Sequence, residues 1–343
     1  MLRIARGNVA VMKPVQPHPT HPYDGLKPDV VTMALEAVGY VPDGRLLPLN
    51  SYENRVYQVG MEEGPPLIAK FYRPGRCSTP AILEEHAFAL ELAAAEVPVV
   101  PPLLRDARSL FEHEGFRFAL FERRGGHWPE LGSAKEREWM GRFIGRIHAI
   151  GRAKRFQHRS QLTVERLGDE PREWLLNEGW IPEHLLDAYE SVSGDLLDAV
   201  QERFDNAGDV AQIRLHGDCH PGNVLWTDAG PHFVDLDDCM QGPASQDIWM
   251  LLSGNRREMG EQLAQLLQGY TQFADFNYSE LHLLEALRSL RIIHYAGWLA
   301  RRWSDPAFPR AFPWFSEPRY WEQHVLNLRE QLSALDEGPL PVS

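Results

Sequence analysis

The sequence predicts an α+β protein of two unequal lobes: a small antiparallel sheet with one main helix, then a larger, mostly helical lobe. Three observations carry this. Segments 46–72 and 109–121 alternate apolar and polar residues as strands do, with one helical segment, 82–92, between them. Gly125 and Gly126 then interrupt the chain. From there to Leu215 almost every segment has helical spacing. The 343 residues suffice for both lobes and a substantial core. The predicted boundaries are an N-terminal arm over 1–25, an N-lobe over 26–124, a helical lobe over 125–335 and a tail over 336–343.

The arm carries Pro14, Pro17, Pro19 and Pro22, which predicts a mobile segment with His18 and His21 solvated. Met12 is an alternative start to Met1. Segment 28–38 places Val31, Leu35 and Val38 at helical spacing and ends at Gly39. Residues 46–72 then read as strand, loop, strand, turn, strand. The loop 50–54 (Asn-Ser-Tyr-Glu-Asn) stands where a nucleotide-binding sheet covers phosphates. It lacks the glycines of a Gly-rich loop, so its backbone N–H groups and polar side chains would make the contacts. An ordinary hairpin turn is the plain alternative.

Lys70 lies inside an apolar strand, where lysine is normally avoided. On an edge strand it could simply snorkel. Downstream, Glu85 has Phe88, Ala89 and Leu92 at helical offsets and so faces the buried side, whereas Glu84 does not. A Lys70–Glu85 ion pair is the expectation. Segment 97–102 is an extended connector, and 109–121 reads as two strands around an acidic turn.

In the second lobe, 135–150 predicts an amphipathic helix with Trp139, Phe143, Ile147 and Ile150 in one stripe and His148 beside it as a packing residue. Segment 151–171 reads as an irregular loop, and 171–178 and 182–204 as helices. Beyond the central stretch come a helix headed by Asp247, helices over 259–273, 279–303 and 320–335, and an aromatic wrap over 305–318. Ser279 is the expected cap of the third helix. Arg301 and Arg302 would complement its dipole.

The central stretch is Leu215-His216-Gly217-Asp218-Cys219-His220-Pro221-Gly222-Asn223-Val224-Leu225-Trp226, followed by Phe233-Val234-Asp235-Leu236-Asp237-Asp238. It sets a carboxylate and a carboxamide in a broken loop, then another carboxylate at the end of a short apolar strand. Phosphoryl transfer from a metal–nucleotide complex uses such a set: one Asp takes the hydroxyl proton, and an Asn and a second Asp hold magnesium. Alone, Asp and Asn in a Gly/Pro loop mean only a turn. The strand lysine and helix glutamate upstream, in the right order, tell against that.

The formal net charge is −13, with no block of like charge, which argues against nucleic acid as a partner. No apolar run reaches the ~18 residues of a membrane span, so membrane insertion is not expected. The first residues are too interrupted for an export signal, so the cytoplasm is the expected compartment. Cys77, Cys219 and Cys239 are too few and odd in number for a disulfide framework. Cys219 and Cys239 stand near His216 and His220, which raises a zinc site; packing of small side chains around a loop is the simpler reading.

These motifs resemble the aminoglycoside- and choline-kinase-like branch of the protein-kinase fold. PLNSYENRVYQV, AKFYRP, ILEEHAFAL, LHGDCHPGN, FVDLDD, DIWMLL, WLARRW and DPAFP resemble, more narrowly, the stress response kinase A family of bacterial protein kinases. The likeness covers residues 26–335. It implies a bilobal protein-kinase-like fold and an ATP- and magnesium-dependent serine/threonine protein kinase of bacterial stress response, expected as a monomer. It implies Asp218 as the base and Asn223 and Asp235 as magnesium ligands, Asp235 being catalytic as well. Ser51, Lys70 and Glu85 would serve the nucleotide phosphates. His216 would fix the catalytic loop, Asp247 would bond its backbone, and Asp237 and Asp238 would be supporting acids. The short span from Asp235 to Asp247 leaves no room for a long phosphorylatable loop. Two other functions fit the same motifs: a small-molecule phosphotransferase for choline, homoserine or aminoglycosides, and a non-catalytic nucleotide-binding module. The retained Lys70, Asp218, Asn223 and Asp235 argue against the latter.

Overall fold

The computed structural model describes residues 21–228 and 230–342. Met12 and His18, with most of the predicted arm, lie outside them. Two residues within the predicted span 1–25, His21 and Tyr23, are packed. Tyr23 is buried and its hydroxyl donates to the carbonyls of Phe71 and Glu53. His21 is not solvated: its Nε2 lies 2.8 Å from Asp305 Oδ1.

Helix α1 (Pro28–Ala37) precedes three antiparallel strands, β1 (Pro42–Pro48), β2 (Arg55–Met61) and β3 (Leu67–Phe71). Helix α2 (Thr79–Ala94) follows, started by Ser78, whose side chain accepts the Ala81 N–H. Strands β4 (Phe111–His113) and β5 (Phe116–Glu122) complete a five-stranded sheet of order β1-β2-β3-β5-β4. The two-residue period of β3 splits its side chains. Ala69 and Phe71 join Val31, Leu35, Phe118 and Leu120 in the core under α1. Lys70 points to the other face, and β3 lies between β2 and β5. A lysine at that position cannot snorkel over an edge, so it must be paired.

The helical lobe comprises α3 (Ala134–Gly151), α4 (Glu170–Asn177), α5 (Leu186–Ala207), the short α6 (Gln246–Trp249), α7 (Arg256–Tyr270), α8 (Leu284–Arg301), the short α9 (Ala307–Ala311) and α10 (Pro318–Asp336). The stripe predicted on α3 holds at Ile147 but is displaced by one residue in the turns before it. Met140, Ile144 and Ile147 are buried, whereas Trp139, Phe143 and Ile150 are only partly so. The cause is a pair of glycines. A Cβ at Gly141 or Gly145 would collide with backbone carbonyls of α7, at Leu266 and Tyr270, so α3 and α7 meet backbone to backbone there. Segment 151–171 is not wholly irregular, since a wide turn over Glu165–Asp169 runs straight into α4. The helix expected from 279 begins as a tight turn, Tyr278–Leu283, capped by Asn277 rather than Ser279. Segment 305–318 is ordered, with Phe308 and Phe315 fully buried.

Two short antiparallel ladders carry the central stretch. Strand β6 (Ile213–Leu215) pairs with β9 (Met240–Gly242), and β7 (Val224–Thr227) pairs with β8 (Gly230–Phe233). Phe88, Ala89 and Leu92 of α2 pack into the same core as Val224, Phe233 and Leu236. The helix that bears Glu85 is therefore seated on the ladder that bears Asp235. Burying Phe88 contributes about 2–3 kcal/mol to that seating.

Candidate active site

The loop between β6 and β7 is shaped by one buried carboxylate. Asp247 accepts the backbone N–H of His216 and of Gly217, each at 2.8 Å, and the Nε2 of His148 lies 3.0 Å away. Asp247 is therefore not a helix cap: α6 begins one residue earlier, and the carboxylate turns back to the loop. Gly217 takes a left-handed φ of 87°, and a Cβ there would strike the Asp238 carbonyl, so only glycine fits. The His216 ring reaches the Val234 carbonyl at 2.9 Å, tying this loop to the next.

Beyond that turn stand Asp218 and Asn223. Asn223 Nδ2 donates to the Asp218 carbonyl at 2.9 Å and to Asp218 Oδ2 at 3.3 Å. This leaves the amide's Oδ1 as its acceptor end. Arg291 Nη1 of α8 lies 2.9 Å from Asp218 Oδ1, and His220 Nε2 lies 3.5 Å from Oδ2. Burial pushes the Asp218 carboxyl up. The His220 contact and the Arg291 charge outweigh burial and hold it well below the usual carboxylate range.

Lys70 meets three carboxylates. Its Nζ lies 3.5 Å from Glu85 Oε1 and 3.1 Å from Asp235 Oδ1, and it contacts Asp237. The expected Lys70–Glu85 pair is present, with Glu85 almost fully buried. Burial would strip the lysine of its proton, but the surrounding charges of Asp237, Asp235 and Glu85 hold its pKa well above the ordinary value. Burial and the neighbouring Asp237 raise Asp235. Asp235 also has a left-handed backbone, with φ 60°. Among the described residues, no three His, Cys, Asp or Glu side chains converge on one metal position. The donor set present is all oxygen, with Asn223 Oδ1 and the Asp235 carboxylate on successive loops. A hard divalent cation fits that set when phosphate oxygens complete its shell.

A family model described as "Phosphotransferase enzyme family" matches residues 45–284, a span that includes the Asp218, Asn223, Lys70, Glu85, Asp235 and Asp247 groups but not Arg291. The chain belongs to that family. Within it, this phosphotransferase is 42% identical over 321 residues to stress response kinase A of Escherichia coli (strain K12), covering 94% of this chain and 97% of that one. The same values hold for the serine/threonine protein kinase RdoA of Salmonella typhimurium. It therefore stands with the stress response kinase A relatives. Among solved structures, the amicoumacin kinase hAmiN, in complex with AMP-PNP, Ca2+ and Ami, superposes with a TM-score of 0.70 at 19% identity, over 90% of this chain and 94% of that one. A microcompartment-associated aminopropanol kinase gives 0.66 at 20%, over 91% and 100%. At such identities these two show the fold, which is kinase-like.

The loop 50–54 of this phosphotransferase is bolted down at both ends. Ser51 Oγ donates to the Asn54 carbonyl at 3.1 Å, so the hydroxyl itself closes the loop. Asn54 is buried; it accepts the Arg73 N–H and donates to Asp237. Glu53 reaches the helical lobe, accepting from Trp298 Nε1 at 2.8 Å and from Arg302 at 3.0 Å. Asp305, almost fully buried, receives Arg73 at 2.9 Å and Arg55 at 3.2 Å.

Several of these partners had no signal in the sequence. Arg159, in the loop predicted as irregular, lies 3.5 Å from Glu85 and donates to the Cys239 carbonyl. Glu84 accepts three successive backbone N–H groups, those of Gln157, His158 and Arg159. Arg76 pairs with Asp237 and Asp238. The one available hint was an excess of arginine in segments without periodicity. Cys219 and Cys239 are buried in the apolar core, and burial pushes both thiols up.

Proposed function

We propose that this phosphotransferase is an ATP- and magnesium-dependent serine/threonine protein kinase with Asp218 as its base. The observation that carries the protein acceptor is the 42% identity, along nearly the whole chain, to relatives named as stress response and serine/threonine protein kinases. A monomer working in the cytoplasm in response to stress is part of the same reading. No helix among the described residues is long and apolar enough to cross a membrane.

The acceptor hydroxyl donates to the Asp218 carboxylate, which its cationic neighbours keep ionised. As the oxygen bonds to the γ-phosphorus, the bond from that phosphorus to the bridging oxygen of ADP breaks. The hydroxyl proton passes late to Asp218, as suits a weak base and a loose transition state. Lys70, oriented by Glu85, exchanges its Asp235 and Asp237 contacts for phosphate oxygens. Asn223 Oδ1 and Asp235 would hold magnesium, which would supply positive charge to offset that of the phosphates. Ser51 and the backbone of its loop cover the phosphates and exclude water. Asp247, through His216 and Gly217, keeps Asp218 and Asn223 in register.

A second reading, a small-molecule acceptor, draws on the fold shared with the amicoumacin and aminopropanol kinases. Labelled ATP offered first with protein mixtures, then with choline, homoserine and aminoglycosides, separates the two. Label in protein at serine or threonine is the expected result. Label in a small molecule alone overturns the protein-kinase reading.

A further inference from the structure

We propose that Arg291 selects the acceptor: this phosphotransferase prefers serine or threonine hydroxyls flanked in the peptide by an anionic group, carboxylate or phosphate. The inference rests on the protein-kinase reading with Asp218 as base. A hydroxyl giving its proton to Asp218 comes within ~3 Å of that carboxylate. Arg291 Nη1 is itself 2.9 Å from Asp218 Oδ1. Its guanidinium therefore stands within ~6 Å of the reacting oxygen, beside the residues that flank it in a peptide.

The Arg291 side chain is about two-fifths exposed, so its guanidinium is within reach of a group arriving from solvent. One turn along α8, the charges acting on His294 include those of Arg291, Arg166 and Arg301 and that of Asp238. Asp238 is already engaged by Arg76 at 2.6 Å. His220 adds a second nitrogen heterocycle beside Asp218. Arg291 sets a guanidinium directly beside the base in a chain that carries −13 overall. It repels a cationic acceptor. An anionic neighbour gives the guanidinium a second oxyanion to hold, and so draws it off Asp218 Oδ1 and frees that oxygen for the hydroxyl.

The test uses the full chain and three matched serine peptides, flanked by Asp and Glu, by Ala and Gln, or by Lys and Arg, with a phosphoserine-flanked peptide as a second anionic arm. For the wild type, kcat/KM is expected to favour the anionic peptides by roughly tenfold or more over neutral ones, mostly through KM, and to lose that preference at high salt. Arg291→Gln is expected to cut the anionic-to-neutral ratio to about threefold or less, and Arg291→Lys to keep most of it. The ratio cancels whatever part of a change in Asp218 basicity is common to all peptides. The wild-type ratio and its salt dependence stand without any variant. If neutral or basic peptides are phosphorylated as well as anionic ones, or if the Arg291→Gln ratio equals the wild type's, the inference is overturned and the protein-kinase reading stands. If no peptide accepts phosphate while choline or kanamycin does, the protein-kinase reading itself falls.

Discussion

Asp247 Oδ1 accepts the Gly217 N–H at 2.8 Å across 30 residues of chain. With the His216 N–H on its other oxygen, this carboxylate fixes the turn that presents Asp218. Asp247→Asn puts an amide donor against two donors. We expect kcat to fall about 100-fold, with nucleotide affinity changed little and the melting temperature lowered by several degrees. Steady-state kinetics and thermal unfolding of the same preparation check this. Unchanged kcat would remove Asp247 from the account.

Lys70→Met removes the cation that Glu85, Asp235 and Asp237 share, leaving only Arg159 beside Glu85 and Arg76 beside Asp237. Breaking a buried ion set in this way costs about 3–5 kcal/mol. Denaturant unfolding should show that loss, and calorimetry should show nucleotide affinity reduced at least tenfold. A stability loss with full nucleotide affinity would mean that Lys70 is structural only.

The Lys70–Glu85 pair was legible because both residues break a local rule: a charge in an apolar strand and a carboxylate on the buried face of a helix. The contacts that Arg76 and Arg159 make with these carboxylates were not legible. Arg76 and Arg159 sit in loops, where arginine is ordinarily solvated, and their partners lie far away in sequence. The two-lobed fold followed from the change of period near Gly125. The face of α3 was misjudged because Gly141 and Gly145 carry no hydrophobicity, although they mark the closest packing. In the central stretch, order and spacing suggested the chemistry, but nothing local named Arg291, which arrives from α8.

His324 stacks on Tyr189 and Tyr320 and is buried, which lowers its pKa to about 4. Below its ordinary value of 6.5 the unfolded chain takes a proton that the folded chain refuses. Stability is therefore expected to fall as pH drops from 6.5 to 4, by up to about 3 kcal/mol from this residue. His86, lowered to about 3, and His294, lowered to about 4, act in the same direction. His324→Phe should make chemical unfolding at pH 4.5 less destabilised, relative to pH 7, than in the wild type. Identical pH profiles would contradict the assignment.

Asp305 behaves oppositely in charge but alike in direction. Burial raises its pKa, yet the Ala307 N–H, His21 and Arg73 hold it down at about 2. Its contribution, about 2 kcal/mol, is complete above the ordinary carboxylate value and is lost as pH falls toward 2. Asp305→Asn should be less stable than the wild type at neutral pH, and the gap should narrow steadily between pH 4 and pH 2. A gap independent of pH would show that packing, and not the charge, joins the lobes there.

The most direct test is transfer of the ATP γ-phosphoryl to protein by Asp218→Ala, measured beside nucleotide binding. Transfer should drop by about 10²–10⁴ while the ATP Kd stays within about threefold of the wild type. An Asp218→Ala enzyme that phosphorylates protein at the wild-type rate would contradict the account.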